Sequence, residues 1–280
     1  MPGIRVVTDS ASDLPAAIER DLAIEIVPLT YRFGEDEYVD RRDLTSEQFW
    51  QKCDKSPTLP ETAAPSPGAF EQAFRRLAAD GADGIVCVSL SAGLSATGQA
   101  AELAAEAVVD VVPVRVIDSR NVSMGQGLMA IAAARLAGQG KPLDEVAAAV
   151  AALVPRTRLF ASLDTLENLK KGGRIGGAKA MLATMLSFKP VIAVVDGVVE
   201  EEAKPRTRSR SLAHLVEKIR EHGAIENLAV IHAGAPDLDD FLELVRPVYS
   251  GTDIIIGDVG AIIGAHAGRG AIGVTFQVAQ

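Results

Sequence analysis

The chain has 280 residues and a formal net charge of −9 at pH 7, and hydrophobic residues make up 48% of it. This length fits one large domain or two of medium size. The acidic balance argues against nucleic acid and anionic membrane surfaces as main partners, because both favour a basic protein face. Two cysteines are too few for a disulfide framework. No secretory signal and no charge-free apolar run of membrane-spanning length is present, so we expect a cytoplasmic protein without stable membrane insertion.

Strand and helix patterns alternate through the first half of the chain. The apolar runs IRVVTDS, GIVCVSL and VRVIDS are typical of buried parallel strands. Helical patterns separate them, and one of these begins with a capping box from Thr45 to Gln48. IEIVPLTYRF is predicted to be one further extended segment, with Pro28 at an edge or a bulge. The alternation predicts a mostly parallel sheet flanked by helices, and such sheets bind ligands beyond the carboxyl ends of their strands.

The second half of the chain favours a mixed sheet. KPVIAVVDGVVEEEA is predicted to be a hairpin with Asp196 and Gly197 as its two-residue turn. Further strands and helices follow up to the C-terminus. We therefore expect a second α/β domain and place the boundary near Pro155. The predicted domains are residues 1–156 and residues 157–280.

A glycine-rich basic segment, TLENLKKGGRIGGAKAMLATMLSFKP, is the most unusual stretch of the sequence. Glycines flank Arg174 on both sides, and glycine permits positive φ and close backbone approach. Lys170, Lys171 and Arg174 come just before a predicted helix, where exposed amides and positive charge would form an anion site. The alternative is a solvated turn between two helices.

Other reactive side chains stand near predicted strand ends. Ser95 and Thr97 lie in SLSAGLSATGQ, where Ser95 could cap the next helix or bind an anion, capping being the commoner role. Asp9 has no second acid two residues later, which favours a local Asx turn over a nucleophile. His266 lies among glycines and aliphatic residues, where a buried core histidine is the ordinary interpretation. The sequence shows neither a metal-ligand pair, nor a nucleophile elbow, nor a nucleotide phosphate loop.

Six segments of the sequence, in the same order, resemble the DegV family of bacterial fatty-acid-binding proteins. They are VTDSASDLP, LPETAAPSPGAF, SAGLSATGQAA, DSRNVSMGQG, TLENLKKGGRIGGAKAMLATMLSFKPVI and VGAIIGAHAGRGAIGV. The resemblance implies a two-domain α/β fold with a lipid site between the domains. It also implies a carrier of one long-chain fatty acid, without catalytic residues, metal or cofactor. The partner would be the ATP-binding subunit of a fatty acid kinase, which forms an acyl phosphate for phospholipid synthesis.

The resemblance assigns roles to individual residues. Thr62 and Ser95 would hold the lipid carboxyl, and His266 would lie beside that head group in a tight glycine loop. Arg174 and Arg206 would lie near the mouth of the pocket and serve the incoming phosphate or the docking of the kinase. The implied ligand-binding residues are Thr62, Ser95, Thr97, Arg174 and His266.

The chain departs from the family pattern directly after Thr62. The family often reads Thr-Ser-Gln-Pro-Ser where residues 62–66 here read TAAPS, so two polar side chains are replaced by alanine. Two other functions stay open. One is a hydrolase or phosphotransferase that uses Asp9, Ser95 or His266, and the other is a carrier of a different anionic amphiphile.

Overall fold

Three β-sheets organise the protein. The computed structural model describes residues 3–251 and 253–279, apart from the side chains of residues 183–187. The described strands form a four-stranded sheet, a six-stranded sheet and a three-stranded sheet, and helices pack on them. The parallel four-stranded sheet and the mixed six-stranded sheet confirm the predicted α/β class.

The four-stranded sheet belongs to the N-terminal part of the chain. In sheet order its strands are β2 (Glu25–Val27), β1 (Gly3–Asp9), β6 (Ala82–Ser89) and β7 (Val114–Asp118). All of its pairings are parallel, and Val7 and Ile85 in its centre are fully buried, as the continuous apolar runs predict. The helices of this part are α1 (Ala16–Asp21), α2 (Ser46–Lys55), α3 (Pro67–Ala79), α4 (Thr97–Ala107), α5 (Met124–Gly138) and α6 (Leu143–Leu153). The capping box predicted at Thr45 and Gln48 is present at the start of α2.

The three-stranded sheet corrects one prediction. Its strands, in sheet order, are β4 (Asp36–Val39), β3 (Thr30–Phe33) and β5 (Glu61–Ala63). The prediction of a single extended segment over IEIVPLTYRF is wrong, because β2 and β3 belong to different sheets. Pro28 separates them, since it has no N–H to donate to a ladder, and the N–H of Leu29 donates to the hydroxyl of Ser10 instead. The antiparallel pairing of β5 with β3 then places Thr62 opposite Tyr31.

The six-stranded sheet is mixed and begins after residue 156. In sheet order its strands are β10 (Val198–Ala203), β9 (Val191–Val195), β8 (Thr157–Ser162), β13 (Ile272–Val278), β11 (Ile225–His232) and β12 (Ile255–Asp258). The predicted hairpin is confirmed, because Asp196 and Gly197 join β9 to β10 with φ values of +51° and +85°. The helices of this part are α7 (Glu167–Lys171), α8 (Arg208–Glu221), α9 (Leu238–Val245) and α10 (Ala261–Ala267).

The segment that begins with the last two glycines of GGRIGG does not form the predicted α-helix. It is a 3-10 helix over Gly176–Ser187. Gly176 takes a φ of +49°, which is incompatible with a right-handed α-helical turn. Lys170 and Lys171 lie in the last turn of α7 instead. The anion site expected at an α-helix N-terminus therefore lacks its helix. Shorter 3-10 turns cover Ser10–Ser12, Val154–Arg156 and Arg246–Val248.

Helix α5 lies between the two larger sheets. It packs against β1 of the parallel sheet and against β8, β11 and β13 of the mixed sheet. One hydrophobic cluster therefore includes Val6 and Val88 from the parallel sheet together with Ile231 from the mixed sheet. Of the helices over residues 3–251 and 253–279, not one combines the length and the apolar composition that crossing a membrane requires.

Candidate functional site

A largely aliphatic cavity, which we call the main cavity, lies between one face of the mixed sheet and the loops at the strand ends of the parallel sheet. Its wall is formed by 25 residues, of which 20 are glycine, alanine, valine, leucine or isoleucine. The mixed sheet contributes Leu159, Ala161, Ile192, Val194, Val199, Ile231 and Gly273. The polar residues of the wall are Thr62, Ser95, Ser123, Arg174 and His266. An aliphatic wall with so few polar groups suits the hydrocarbon part of an amphiphile.

Thr62 and His266 form a hydrogen-bonded pair on this wall. Thr62 lies in β5, and its Oγ1 is 2.9 Å from Nε2 of His266. The expectation of a tight glycine loop around His266 is wrong, because the residue lies in the last turn of α10. Gly268 ends that helix with a φ of +80°, and its N–H donates to the carbonyl of Gly264. Gly264 therefore lies within the helix, and Gly268 forms its C-terminal cap.

His266 is neutral near pH 7. Burial lowers the pKa of its imidazole to about 4, and the positive charge of Arg174 acts in the same direction. Nδ1 is buried without a hydrogen-bond partner among the described residues. A buried acceptor without a partner is less costly than an orphaned N–H, so we place the proton on Nε2. Nε2–H then donates to Oγ1 of Thr62, and the Thr62 hydroxyl keeps its own hydrogen for a ligand.

Gly172 holds the imidazole ring from the other side. A Cβ at Gly172 would lie 2.2 Å from Nδ1 of His266, so only glycine leaves room for the ring in this position. The GGRIGG motif thereby contributes to the site through its first glycine as well as through its arginine.

Ser95 and Thr97 form a second hydroxyl pair. The Ser95 Oγ is 2.9 Å from the Thr97 Oγ1 and accepts the backbone N–H of Thr97 at 3.3 Å. Ser95 is not the N-cap residue of α4, which is Ala96. Thr97 is fully buried and lies behind Ser95, away from the cavity wall. The backbone N–H of Thr97 occupies one lone pair of Ser95 Oγ, and when the Thr97 hydroxyl donates to the same oxygen, the Ser95 hydroxyl can donate its hydrogen into the cavity.

Two backbone carbonyls position Arg174 beside these hydroxyls. Its Nε donates to the carbonyl of Leu94 at 3.0 Å, and its Nη1 donates to the carbonyl of Gly172 at 2.8 Å. Leu94 precedes Ser95, and Gly172 contacts His266. The guanidinium therefore lies at the end of the cavity that carries the hydroxyl groups. We call Thr62, Ser95, Arg174 and His266 the polar corner.

The structure separates Arg206 from the polar corner. Arg206 is exposed, does not line the cavity, and makes no hydrogen bond or ion pair with the described residues. Ala63 and Ala64, which stand where the family often has polar residues, both line the cavity. The wall next to Thr62 is therefore apolar.

Ser123 is a site residue that sequence reasoning missed. It lines the cavity, and its hydroxyl donates to Oδ2 of Asp13 at 2.5 Å. Oδ1 of Asp13 accepts the N–H of Gly260 at 2.9 Å, directly before α10. The carboxylate thus joins the cavity wall to the helix that carries His266. Ser123 lies in DSRNVSMGQG, one of the six segments that resemble the DegV family, but the resemblance implies no role for this serine.

Asp9, Ser95 and His266, the side chains that a hydrolase or phosphotransferase would use, do not form a catalytic group. Asp9 is fully buried away from the cavity, and its carboxylate accepts N–H groups of Ala11, Leu90 and Gln126. The bond to Ala11 confirms the predicted Asx turn. Ser95 and His266 bond to Thr97 and Thr62, and no hydrogen bond between Ser95 and His266 is found. The described side chains therefore do not form a serine nucleophile and base pair.

Comparisons with known structures agree with this fold. Two of the similar structures are proteins described as binding or loaded with a fatty acid. A fatty-acid-binding DegV family protein of Thermus thermophilus has 31% sequence identity and a TM-score of 0.89, with 99% of this chain and 100% of that chain covered. A DegV family protein of Eubacterium eligens, loaded with heptadecanoic acid, has 26% identity and a TM-score of 0.85, covering 99% and 100% of the two chains.

Sequence comparison identifies the family. The family model described as "Uncharacterised protein, DegV family" matches residues 3–279. A DegV domain-containing protein of Streptomyces coelicolor is 38% identical over 278 residues, which is 98% of each chain. The chain belongs to the DegV family, as the six sequence segments predict.

Proposed function

We propose that the protein binds one long-chain fatty acid in the main cavity, with the carboxylate at the polar corner, and presents that carboxylate to a separate ATP-dependent kinase. The observation that carries the proposal is the cavity itself, which is aliphatic except for the polar corner and Ser123. The fatty acids held by related proteins of T. thermophilus and E. eligens support the choice of ligand.

The apolar wall provides enough free energy to retain such a ligand. Burial of each CH₂ group contributes roughly 0.8 kcal/mol, so an acyl chain of about sixteen carbons gains on the order of 10 kcal/mol. Loss of translational and rotational freedom opposes several kcal/mol of this gain. The remainder corresponds to tight binding by hydrocarbon burial, provided that the carboxylate is not buried without partners.

The polar corner supplies those partners. With the His266 proton on Nε2, the imidazole donates to Oγ1 of Thr62, and the backbone N–H of Thr97 donates to Oγ of Ser95. Both hydroxyls can then donate their hydrogens to a carboxylate. Arg174 adds a fixed positive charge whose position depends on two backbone carbonyls. A carboxylate held by these donors keeps lone pairs for attack on a phosphorus atom. The described residues include no nucleotide-binding motif, so the proposal assigns ATP to the partner.

Substitutions of Thr62 test the binding step. Thr62→Val keeps the shape of the side chain but removes the hydroxyl, and we expect the affinity for a long-chain fatty acid to fall about 10-fold or more, because a hydrogen bond to a charged group is lost. Thr62→Ser keeps the hydroxyl and should bind within a few-fold of the wild type. The measurement is a titration of the delipidated proteins, after mass spectrometry of an organic extract has identified the ligand bound during purification.

The extract also separates the alternatives. A near-stoichiometric fatty acid supports the proposal, whereas a different anionic amphiphile would identify another kind of carrier. A blank extract that stays blank after incubation with mixed fatty acids would refute lipid carriage. Release of free acid from an acyl ester by the protein alone, lost in Ser95→Ala, would instead show an enzyme.

Arg206 tests the transfer step. Its exposed side chain precedes α8, whose first turn also carries the exposed Arg210, whereas Arg208 is paired with Asp237. Arg206 and Arg210 are therefore accessible to an anionic group. We expect Arg206→Ala to bind fatty acid normally but to lower acyl-phosphate formation by a fatty acid kinase with ATP. Arg246→Ala removes the same charge from another exposed position and should leave transfer unchanged. A large loss of lipid affinity in Arg206→Ala would instead assign Arg206 to the lipid site.

A further inference from the structure

The floor of the main cavity contains a strip without bulky side chains. The strand register pairs Ile192 with Ala161, Ala161 with Gly273, and Gly273 with Ile231. All four residues line the cavity. Side chains opposite each other across a sheet lie on the same face, so the small residues of β8 and β13 form a strip between two isoleucines. We call this cross-strand row the floor row.

The strip is closed in one direction along the strands. Two residues beyond Ala161 and Gly273 on the same face are Leu159 and Thr275, which pair with each other. Leu159 lines the cavity, and Thr275 is fully buried behind it. In the opposite direction, Ala271 lines the cavity and continues the strip. The floor is therefore lowest at Ala271 and Gly273 and rises at Leu159.

A side chain at residue 273 would enter this space. Gly273 is not among the residues with positive φ, so its backbone accepts alanine. A Cβ there would lie 3.1 Å from Cγ1 and 3.2 Å from Cδ1 of Ile231. These contacts are tight, and relief requires the flexible end of Ile231 to turn. Both the new methyl group and the displaced isoleucine then reduce the room available to a ligand.

We propose that Gly273 determines the length of the acyl chain that the cavity accepts, an inference that rests on the proposed function. The absence of a side chain at this one position leaves space for methylene groups above the floor row. Filling that space excludes the methylene groups that would lie there, and each excluded CH₂ lowers the affinity roughly 4-fold. Acids that are short enough to leave the space above Gly273 empty should keep their affinity.

The test is a set of titrations with saturated straight-chain acids from lauric to stearic. For Gly273→Ala we expect the optimum to move to shorter acids, with a loss of roughly 4-fold for each excluded methylene group. Gly273→Val should move the optimum further in the same direction. Wild-type affinity for the shorter acids shows that the variant is folded. In the Gly273→Ala background, Ile231→Val removes Cδ1 and should restore binding of the longer acids.

A matched glycine provides the control. Gly257 lies in β12 of the same sheet but does not line the main cavity, and a Cβ there would meet its nearest atom, Cγ of Pro15, at an ordinary 3.5 Å. Gly257→Ala should keep the wild-type chain preference. An unchanged preference in Gly273→Ala, or an equal loss for all acids, would overturn the assignment of Gly273 while leaving fatty acid binding intact. Failure of the wild type to bind any acid would overturn the proposed function itself.

Discussion

Gly176→Ala is expected to destabilise the protein by about 2–4 kcal/mol, because two separate costs combine at this residue. Gly176 has a φ of +49°, a region that an alanine enters only with strain. A Cβ there would also lie 2.2 Å from the carbonyl oxygen of Val199. That oxygen belongs to the backbone of β10, so a side-chain rotation cannot relieve the overlap. Either β10 or the 3-10 segment has to move.

Gly173→Ala separates the two costs. Gly173 belongs to the same motif and has a φ of +71°, but a Cβ there would meet no atom within 4 Å. Its replacement should therefore cost only about 1 kcal/mol, for the backbone conformation alone. Urea unfolding of both variants measures the difference. Equal losses would contradict the close approach of the 3-10 segment to β10. Because Val199 lines the cavity, we also expect weaker lipid binding in Gly176→Ala than in Gly173→Ala.

Patterns confined to a few neighbouring residues could be predicted from the sequence. The turn at Asp196 and Gly197 follows from the positive φ that both positions of a two-residue hairpin require. The capping box at Thr45 and Gln48 follows from side chains that satisfy two backbone groups locally. The buried parallel strands follow from continuous apolar runs. In each case the pattern that determines the structure lies within a few neighbouring residues of the sequence.

Features that depend on distant contacts could not be predicted in this way. The three-stranded sheet depends on pairing between β3 and β5, whose residues are about thirty positions apart. β5 (Glu61–Ala63) lacks a strong strand pattern of its own. The helical turn at His266 and the burial of Thr97 behind Ser95 follow from packing against other elements. The positions of Thr62, Ser95, Arg174 and His266 on one wall were expected only through family resemblance. Residue types alone favoured a capping role for Ser95 and a core role for His266, and they left Arg174 open between an anion site and a solvated turn.

The buried carboxyl group of Asp13, whose surroundings also come from distant contacts, makes the stability of the protein depend on pH. Asp13 is 4% exposed, and burial raises the pKa of its carboxyl group from 3.8 to about 7. The bonds from Ser123 and Gly260 lower the pKa, and the negative charge of Asp40 raises it. The folded protein therefore binds this proton more strongly than the unfolded chain does. The stabilisation is fully present below pH 3.8 and is lost as the pH rises to about 7.

Asp13→Asn should remove this loss. Asn is a neutral counterpart of the protonated acid, and its oxygen can accept the N–H of Gly260 while its amide donates to Ser123. Asn also tolerates the φ of +50° at this position. Relative to wild type, the free energy of unfolding of Asp13→Asn should rise between pH 4 and pH 7 and level off above, by a few kcal/mol at about 1.4 kcal/mol per pKa unit. Urea unfolding across this range measures the difference.

Ser123→Ala provides the opposite change at the same carboxyl group. It removes the donor that most lowers the pKa of Asp13, so the pH-dependent loss of stability should still begin near pH 4 and should extend to higher pH than in wild type. A difference between Asp13→Asn and wild type that stays constant from pH 4 to pH 8 would show that Asp13 is ionised throughout. Because Asp13 also binds the N–H of Gly260, its protonation changes the attachment of α10 to the N-terminal part. The pH range that weakens the fold is therefore also the range in which the helix that carries His266 should be held differently.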